Sequence, residues 1–289
     1  MVGLFGLVQI EACEVARRQA FATFGLGQRS DQAGETGMTL REPPLYAQVA
    51  ELLREKIRSG DLAPGELVPT ERDLARDQQI SRGTAVRALE QLVTEGLITP
   101  GSTRAGRRVR DLRILPIHAS RSEQIDHRKA AGVDAWVSDS QEHGRVPGQQ
   151  IEVGVVHADS EIAGYLGLNE GESVAVRRRL RTLDGEPSNL ADTYYPMNIV
   201  QEVAEILDPA DVPQGVVALM AERGLVQTRY RDHLRWRPPT PEEARKLRIG
   251  AGVSVLVQHR IGYVGDRPVK VSRHTWPGDT IELIYELPA

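Results

Sequence analysis

The chain has 289 residues, 40% of them hydrophobic and 26% charged, with a formal net charge of −4; this is the composition of a folded globular protein, with length for two domains of ~150 residues each. A single cysteine, Cys13, excludes an internal disulfide and a cysteine-built zinc site and makes a reducing cytoplasm the natural location. No apolar run approaches the ~20 residues that cross a bilayer, so no membrane partner is expected.

Residues 1–43 read as an N-terminal extension. Leu4–Ile10 is apolar, but no basic residue precedes it and Glu11 and Glu14 follow, which argues against a signal peptide. Val8–Phe24 has the pattern of a short amphipathic helix, Gly25–Gly37 reads as flexible, and Met38 stands where a shorter chain would begin. The expectation is a disordered or dispensable segment; the alternative is an extra partner-binding helix.

Residues 44–110 form the first predicted domain. Leu45–Ser59 is a helix with Val49, Leu52, Leu53 and Ile57 on its buried side, stopped by Gly60. Ala63-Pro64-Gly65 turns into Glu66–Val68, a short strand expected to pair with a later hairpin. Thr70 is an N-cap with Asp73 completing a weak capping box, and Leu74 and Ala75 face a core. Asp77–Ile80 supplies a tight turn. Ser81 then caps a longer helix on which Ala85, Val86, Leu89, Leu92 and Val93 make one apolar stripe, ended by Gly96. Arg82, Gly83, Thr84 and Arg87 fall off that stripe. Leu97–Pro100 and Gly101–Arg110 read as two short strands around a Gly/Arg turn, a wing. A helix, a short turn and a second helix with a polar, basic N-terminal end can enter a DNA major groove. Arginine reads guanine bidentately there, and the helix N-terminus favours phosphate. Residues 44–110 hold 11 Lys+Arg against 9 Asp+Glu, whereas residues 111–289 hold 21 against 26 and residues 1–43 hold 4 against 5. The small basic excess therefore gathers on the second helix and the wing.

The stretches LYAQVAELLREKIRSGDLAPGELVPTERDLA and SRGTAVRALEQLVTEGLI, followed by a glycine-containing wing, resemble the winged helix-turn-helix of the GntR family of bacterial transcription regulators. The resemblance implies base or phosphate contacts from Arg72, Arg82, Thr84 and Arg87, with Gly106 entering the minor groove. The chain departs from the pattern at Gly83, where a larger residue often sits, and in its arginine-rich wing. With the neighbouring Ser81, Gly83, Arg104 and Arg107, these residues make the candidate DNA-binding set.

Residues 111–150 read as a linker and the start of a second domain. Asp111–Glu123 has no sustained period, and Trp136 reads as core or pocket wall. His127, His143 and His157 lack metal-ligand spacing, so no metal or cofactor is expected.

Residues 151–289 carry an internal duplication. Shifting Asp159–Pro196 by 81 lays it on Thr240–Pro277 without a gap, with ten of 38 positions identical, among them Leu166/Leu247, Gly171/Gly252, Arg179/Arg260 and Pro196/Pro277. Each copy reads as a short helix, a Gly turn, an alternating strand (Ser173–Thr182, Ser254–Val264), a tight Asp/Gly turn and a second strand. Two such units are expected to share one antiparallel sheet about a pseudo-two-fold axis. Between them, Asn198–Leu207 and Gln214–Gly224 look helical and Tyr230–Arg237 looks like a strand. Arg177, Arg179 and Arg181 alternate onto one strand face. Either that face is solvated, or it holds an anion clamp, since guanidinium forks suit carboxylate or phosphate.

This region, through RRLRTLDGEP…YYP and the terminal HTWPGDTIELIYEL, resembles the UTRA effector-binding domain of the HutC subfamily, a fold related to chorismate lyase. The resemblance implies a small-molecule pocket near Arg179–Leu180–Arg181, the facing strand and the second hairpin. Its candidate residues are Arg179, Arg181, Asp192, Lys270, Ser272 and Trp276. Members that bind phosphorylated amino sugars carry acidic residues at the positions of Ala191 and Lys270, which argues here for a more anionic ligand, or none. The whole reading is an α+β chain: a winged helix-turn-helix followed by an antiparallel, duplicated UTRA domain. It describes a cytoplasmic homodimeric regulator, a repressor, that binds double-stranded palindromic operator DNA and a small-molecule effector. One alternative is an effector-independent repressor of a mobile-element or plasmid-transfer locus. A lyase-like enzyme is the other, against which stands the lack of any nucleophile–base pair.

Overall fold

A computed structural model describes residues 42–101, 106–120, 135–210, 212 and 215–287. The expectations for residues 1–41, for Arg104 and the wing tip, for His127 with the adjoining linker, and for a helix beginning at Gln214 lie outside the described residues.

The first domain begins with α1 (Leu45–Ser59), α2 (Glu71–Asp77) and α3 (Arg82–Thr94). Gly60 ends α1 in the left-handed region, φ 87°, with its N–H on the Ile57 carbonyl. Thr70 and Ser81 each accept the backbone N–H three residues on, Asp73 and Thr84, satisfying donors that a first helical turn leaves open. Val49, Ala50, Leu53, Leu74, Leu89 and Leu92 close one core. Leu52, expected among them, is 36% exposed, because it falls at the rim of the arc that Val49, Ala50 and Leu53 define. Glu66–Val68 does meet the wing, through a single bridge rather than a ladder, with Leu67 opposite Arg108; within the wing Ile98 opposes Val109.

The stretch after Arg110 departs from the linker expectation. Leu115–His118 forms β1, which runs parallel to the last strand of the chain, and its Leu115 and Ile117 are buried beside Trp136 and Leu183. Four alternating residues are too few to register as a strand when the partner lies at the other end of the sequence.

The rest of the domain follows in order: α4 (Ala135–Glu142), β2 (Pro147–His157), α5 (Ser160–Leu166), β3 (Ser173–Leu183), β4 (Glu186–Pro196), α6 (Met197–Glu202), a 3₁₀ turn (Ala204–Leu207), α7 (Val216–Glu222), β5 (Arg229–Arg237), α8 (Pro241–Leu247), β6 (Val255–Val264), β7 (Arg267–Pro277) and β8 (Ile281–Ile284). Six strands make one antiparallel sheet in the order β2-β3-β4-β7-β6-β5. Adding 81 to the bounds of α5 (160, 166) and β4 (186, 196) gives those of α8 (241, 247) and β7 (267, 277). The central register sets Asp192 opposite Arg273, and these two positions are themselves 81 apart. The pseudo-two-fold axis therefore passes between them.

On one face of the sheet, α5 buries Ile162 and Leu166 against Val174, Val176 and Val271, and α8 buries Leu247 near Val255 and Val257. On the other, α6, the 3₁₀ turn and α7 bring Ile199, Ile206 and Met220 onto Ala175 and Tyr195. Arg177 lies in this second face and is fully buried, which overturns the solvated-face reading. Its guanidinium donates to the carbonyls of Ile206 (3.1 Å), Asp208 and Ala210 (2.9 Å). Carbonyls at the end of a helical turn lack intrahelical donors, and a charged fork supplies them.

The two domains meet where α3 ends. Gly250 and Gly252 bring bare backbone against that end; a Cβ there would sit 2.0 Å from the Val93 oxygen and 2.1 Å from the Thr94 oxygen. Arg110 bridges the same junction, donating to the Gly96 carbonyl and to the Asp279 carboxylate, both at 2.6 Å. Among the described residues no helix is long and apolar enough to cross a membrane.

Candidate functional site

Two surfaces gather the residues singled out in the sequence. The first surrounds the N-terminus of α3. The Ser81 hydroxyl accepts the Thr84 N–H at 3.1 Å, fixing the first turn, while Ala85, Ala88, Leu89 and Leu92 turn the opposite side into the core. That leaves Ser81, Arg82, Gly83 and Arg87 exposed and Thr84 partly so. Arg82 is 78% exposed, with its guanidinium 3.7 Å from Glu71. Arg72, on α2, and Arg87 are exposed and make no ion pair among the described residues. Nothing crowds Gly83, whose added Cβ would meet only the Ser81 hydroxyl at 3.8 Å. The result is a flat patch beside open N–H groups with arginine forks around it, suited to phosphate and base edges.

The wing residues behave differently. Arg107 is only 20% exposed and donates to Glu71 at 2.8 Å. The Arg107 hydrogen bond, opposed by slight burial and aided by the charges of Arg107 and Arg82, keeps the Glu71 carboxyl below its ordinary range. One carboxylate thus joins α2, α3 and the wing, and Arg107 positions the wing instead of projecting from it. Gly106 has φ 68°, and a Cβ there would lie 2.9 Å from Leu67. Its lack of a side chain has a local structural reason.

The second surface is a cavity of about 90 Å³ on the sheet face opposite α5 and α8, centred on the pseudo-two-fold axis. Cross-strand register lays out its floor. One rung runs Arg177, Thr193, Ser272, Arg260; the next runs Arg179, Ala191, His274, Gln258. The middle of the floor is small or hydroxylated, with Thr193 and Ser272 3.2 Å apart. Larger groups form the walls: Trp136 lies 4.7 Å from the Arg181 guanidinium, and His274 stacks on Trp276 at 5.0 Å. Ile117 and Ala119, at and just beyond the end of β1, also line the cavity.

The charges on either side of the axis are unequal. Arg179 and Arg260 are equivalent by the duplication and both line the cavity. Arg260 is held by Asp232 through two bonds, 2.8 and 2.6 Å, and Asp232 also accepts from Tyr285 (2.7 Å) and Gln258 (2.9 Å). Burial alone would raise the Asp232 carboxyl; the Arg260 fork and charge, with Tyr285 and Gln258, outweigh it and hold the group below its usual value. Burial and then Asp232 push the Tyr285 phenol up to about 12. At the equivalent place beside Arg179 stands Ile151, and Arg179 makes no ion pair among the described residues. With Arg181 and Lys270 added and Asp139 the one carboxylate among the described lining residues, that described lining carries an excess of positive charge.

Five of the six expected effector residues, Arg179, Arg181, Lys270, Ser272 and Trp276, line this cavity. Asp192 does not. Strand alternation gives its neighbours Ala191 and Thr193 to the cavity and turns Asp192 to the opposite face, where Arg273 donates to it at 2.9 Å. There burial pushes the Tyr194 phenol beside it up to about 12. The sequence reading missed Asp139, Gln258, Arg260 and His274 in the lining. Arg260 could have been found, since the duplication pairs it with Arg179; Asp139 lies in a stretch without readable period.

Known proteins share this layout. The profile of "Bacterial regulatory proteins, gntR family" matches residues 45–106, and that of the UTRA domain matches residues 142–282. The uncharacterized HTH-type transcriptional regulator SCO4628 of Streptomyces coelicolor is 32% identical over 225 residues, 75% of this chain and 82% of that protein. The HTH-type transcriptional repressor NagR of Bacillus subtilis is 25% identical over 222 residues, 76% of this chain and 85% of that one. A crystal structure of a protein assigned to the GntR family superposes with a TM-score of 0.50 at 24% identity, covering 85% of this chain and 98% of the other.

Proposed function

The chain belongs to the gntR family of bacterial regulatory proteins and carries a UTRA domain, and on that premise we propose that it is a repressor, bound as a homodimer to a palindromic operator and released by a small anionic effector. It is a DNA-binding transcriptional regulator rather than an enzyme, as its relatives are. The observation that carries the finer reading is Arg179, without an ion-pair partner among the described residues, in a cavity lined by further cationic groups, in the same chain as the exposed arginines around α3. Two heads related by a two-fold axis match two half-sites, which is why a palindrome is expected. A ligand lowers DNA affinity to the extent that it binds the non-DNA-binding arrangement more tightly. Repression is favoured over activation because the similar protein NagR is a transcriptional repressor.

Selection of bound sequences from a random DNA pool would supply the operator, and titration by fluorescence anisotropy then tests the reading. Arg87→Ala should lose about 1–3 kcal/mol of specific affinity and relax base preference. Thermal shifts with a panel of small phosphates and carboxylates test the cavity. Wild-type operator affinity in Arg87→Ala would remove the assignment of α3, and a panel without any shift would remove the effector.

A further inference from the structure

Where the end of α3 meets the second domain, the backbone is bare on both sides. Gly96, just past the helix, has φ 77°, and a Cβ there would lie 2.6 Å from Val253 and 2.8 Å from the Arg110 guanidinium. Gly250 and Gly252 come from the turn between α8 and β6, and neither has a positive φ. The duplication shows why they are glycines. Their equivalents in the first half, 81 residues earlier, are Asn169 and Gly171, and Gly171 has φ 85° with open space around it. Glycine at 171 serves the backbone conformation, whereas at 250 and 252 it serves close approach to the Val93 and Thr94 carbonyls. Charge closes the same seat: Arg110, whose side chain is 7% exposed, donates to both oxygens of Asp279, at 2.6 and 3.0 Å. Just beyond, Arg113, Asp111, Arg145 and Asp184 form a closed ring of ion pairs, 2.6, 3.0, 2.6 and 3.5 Å in turn, which fixes the segment leading out of the wing.

We propose that Gly250, Gly252 and the Arg110–Asp279 pair are positioning residues for DNA recognition: they seat the C-terminal end of α3 on the second domain and so set which half-site spacing the regulator accepts. This deepens the palindrome reading above and rests on it. Domains of one chain ordinarily move relative to one another across a small polar interface. Here backbone meets backbone with no side chain to yield, and a buried two-pronged ion pair spans the contact. The lever is long. α3 has 13 residues, so its recognition end lies ~18 Å from the seat, and a tilt of about 10° there moves Arg82 by ~3 Å, close to the ~3.4 Å rise of one base pair. Two heads held to less than that tilt match one separation of half-sites, and loosened heads match several.

The test uses the full chain and the half-site selected from the random DNA pool. That half-site is presented singly and as inverted repeats whose spacer is lengthened or shortened one base pair at a time. Wild type should prefer one spacer over its neighbours by about tenfold in fluorescence anisotropy. Gly250→Ala and Asp279→Ala, folded by circular dichroism, should bind neighbouring spacers within about twofold of one another, with affinity for the single half-site unchanged. Asn169→Ala, at the equivalent place in the first half, should keep the wild-type preference. If Gly250→Ala fails to fold, Asp279→Ala, on an exposed turn, carries the test. Folded seat variants that keep the wild-type preference, or that lose single half-site affinity as much as palindrome affinity, overturn the seat while leaving the palindrome standing. So does a wild type indifferent to spacer, or an Asn169→Ala that loses the preference as well. A wild-type chain that binds the single half-site as tightly as every inverted repeat overturns the palindrome and this inference with it.

Discussion

The two halves of the C-terminal domain begin from one plan and end with opposite electrostatics. Their helices and second strands match bound for bound, and both halves place an arginine on the cavity floor, Arg179 and Arg260. In the second half, β5 supplies Asp232 and the arginine is neutralised; in the first, β2 supplies Ile151 and the charge is left for something else. The same contrast recurs one step along each strand. Arg177 caps the Ile206 carbonyl of the 3₁₀ turn and those of Asp208 and Ala210 just after it, whereas its equivalent Gln258 serves Asp232 and Tyr285. Duplication supplies a shape with two equivalent arginines, and substitution at a few facing positions makes one of them structural and the other available. Even the axis residues differ in kind, since Asp192 and Arg273 are equivalent positions that form an ion pair with each other.

The sharpest way to break this comparison is Asp232→Asn. It leaves the Arg260 guanidinium buried without its counter-charge, and should cost about 3–5 kcal/mol in urea unfolding at neutral pH. The pH dependence follows from the depressed Asp232 carboxyl. Its contribution to stability is complete above the unfolded value of about 3.9 and is lost as pH falls through the lower folded value. Wild type should lose this stability in acid, and Asp232→Asn should show that much less acid sensitivity. Next in size is Arg177→Met, which strands three carbonyls and should cost about 3 kcal/mol, whereas Gln258→Met should cost only about 1 kcal/mol. Equal costs would mean that the halves are less specialised than their hydrogen bonds indicate. The smallest expected effect is the most informative about function. Ile151→Asp copies the second half's solution onto the first, and by neutralising Arg179 should weaken binding of any small anion about tenfold, or about 1.4 kcal/mol, in isothermal titration. Unchanged anion affinity would place the anion elsewhere in the molecule.

Much of this was legible in the residues themselves. The caps at Thr70 and Ser81, the apolar stripe of α3 and the stop at Gly60 are local signals, decided by neighbours within one turn, and each is found where the sequence places it. The duplication is legible for a different reason: it compares the chain with itself and needs no partner in space. What was not legible depends on partners far apart in sequence. Arg107 reads as a wing contact until Glu71, 36 residues earlier, holds it, and Leu115–Ile117 reads as linker until β8 lies alongside. Asp192 reads as a cavity acid because it adjoins Ala191, a position that is acidic in members binding phosphorylated amino sugars, but one residue along a strand takes a side chain to the opposite face.

The sequence alone determined that there is a helix-turn-helix with an exposed basic end, and that a repeated hairpin unit follows it, because periodicity and capping are properties of consecutive residues. Only the tertiary structure decided which arginine lacks an ion-pair partner among the described residues, which face Asp192 takes and which strands form the edges of the sheet. The reason is that charge compensation is set by the residue on the next strand, and the order of strands in the sheet, β4 beside β7 and β5 at the rim, cannot be read from their order in the chain.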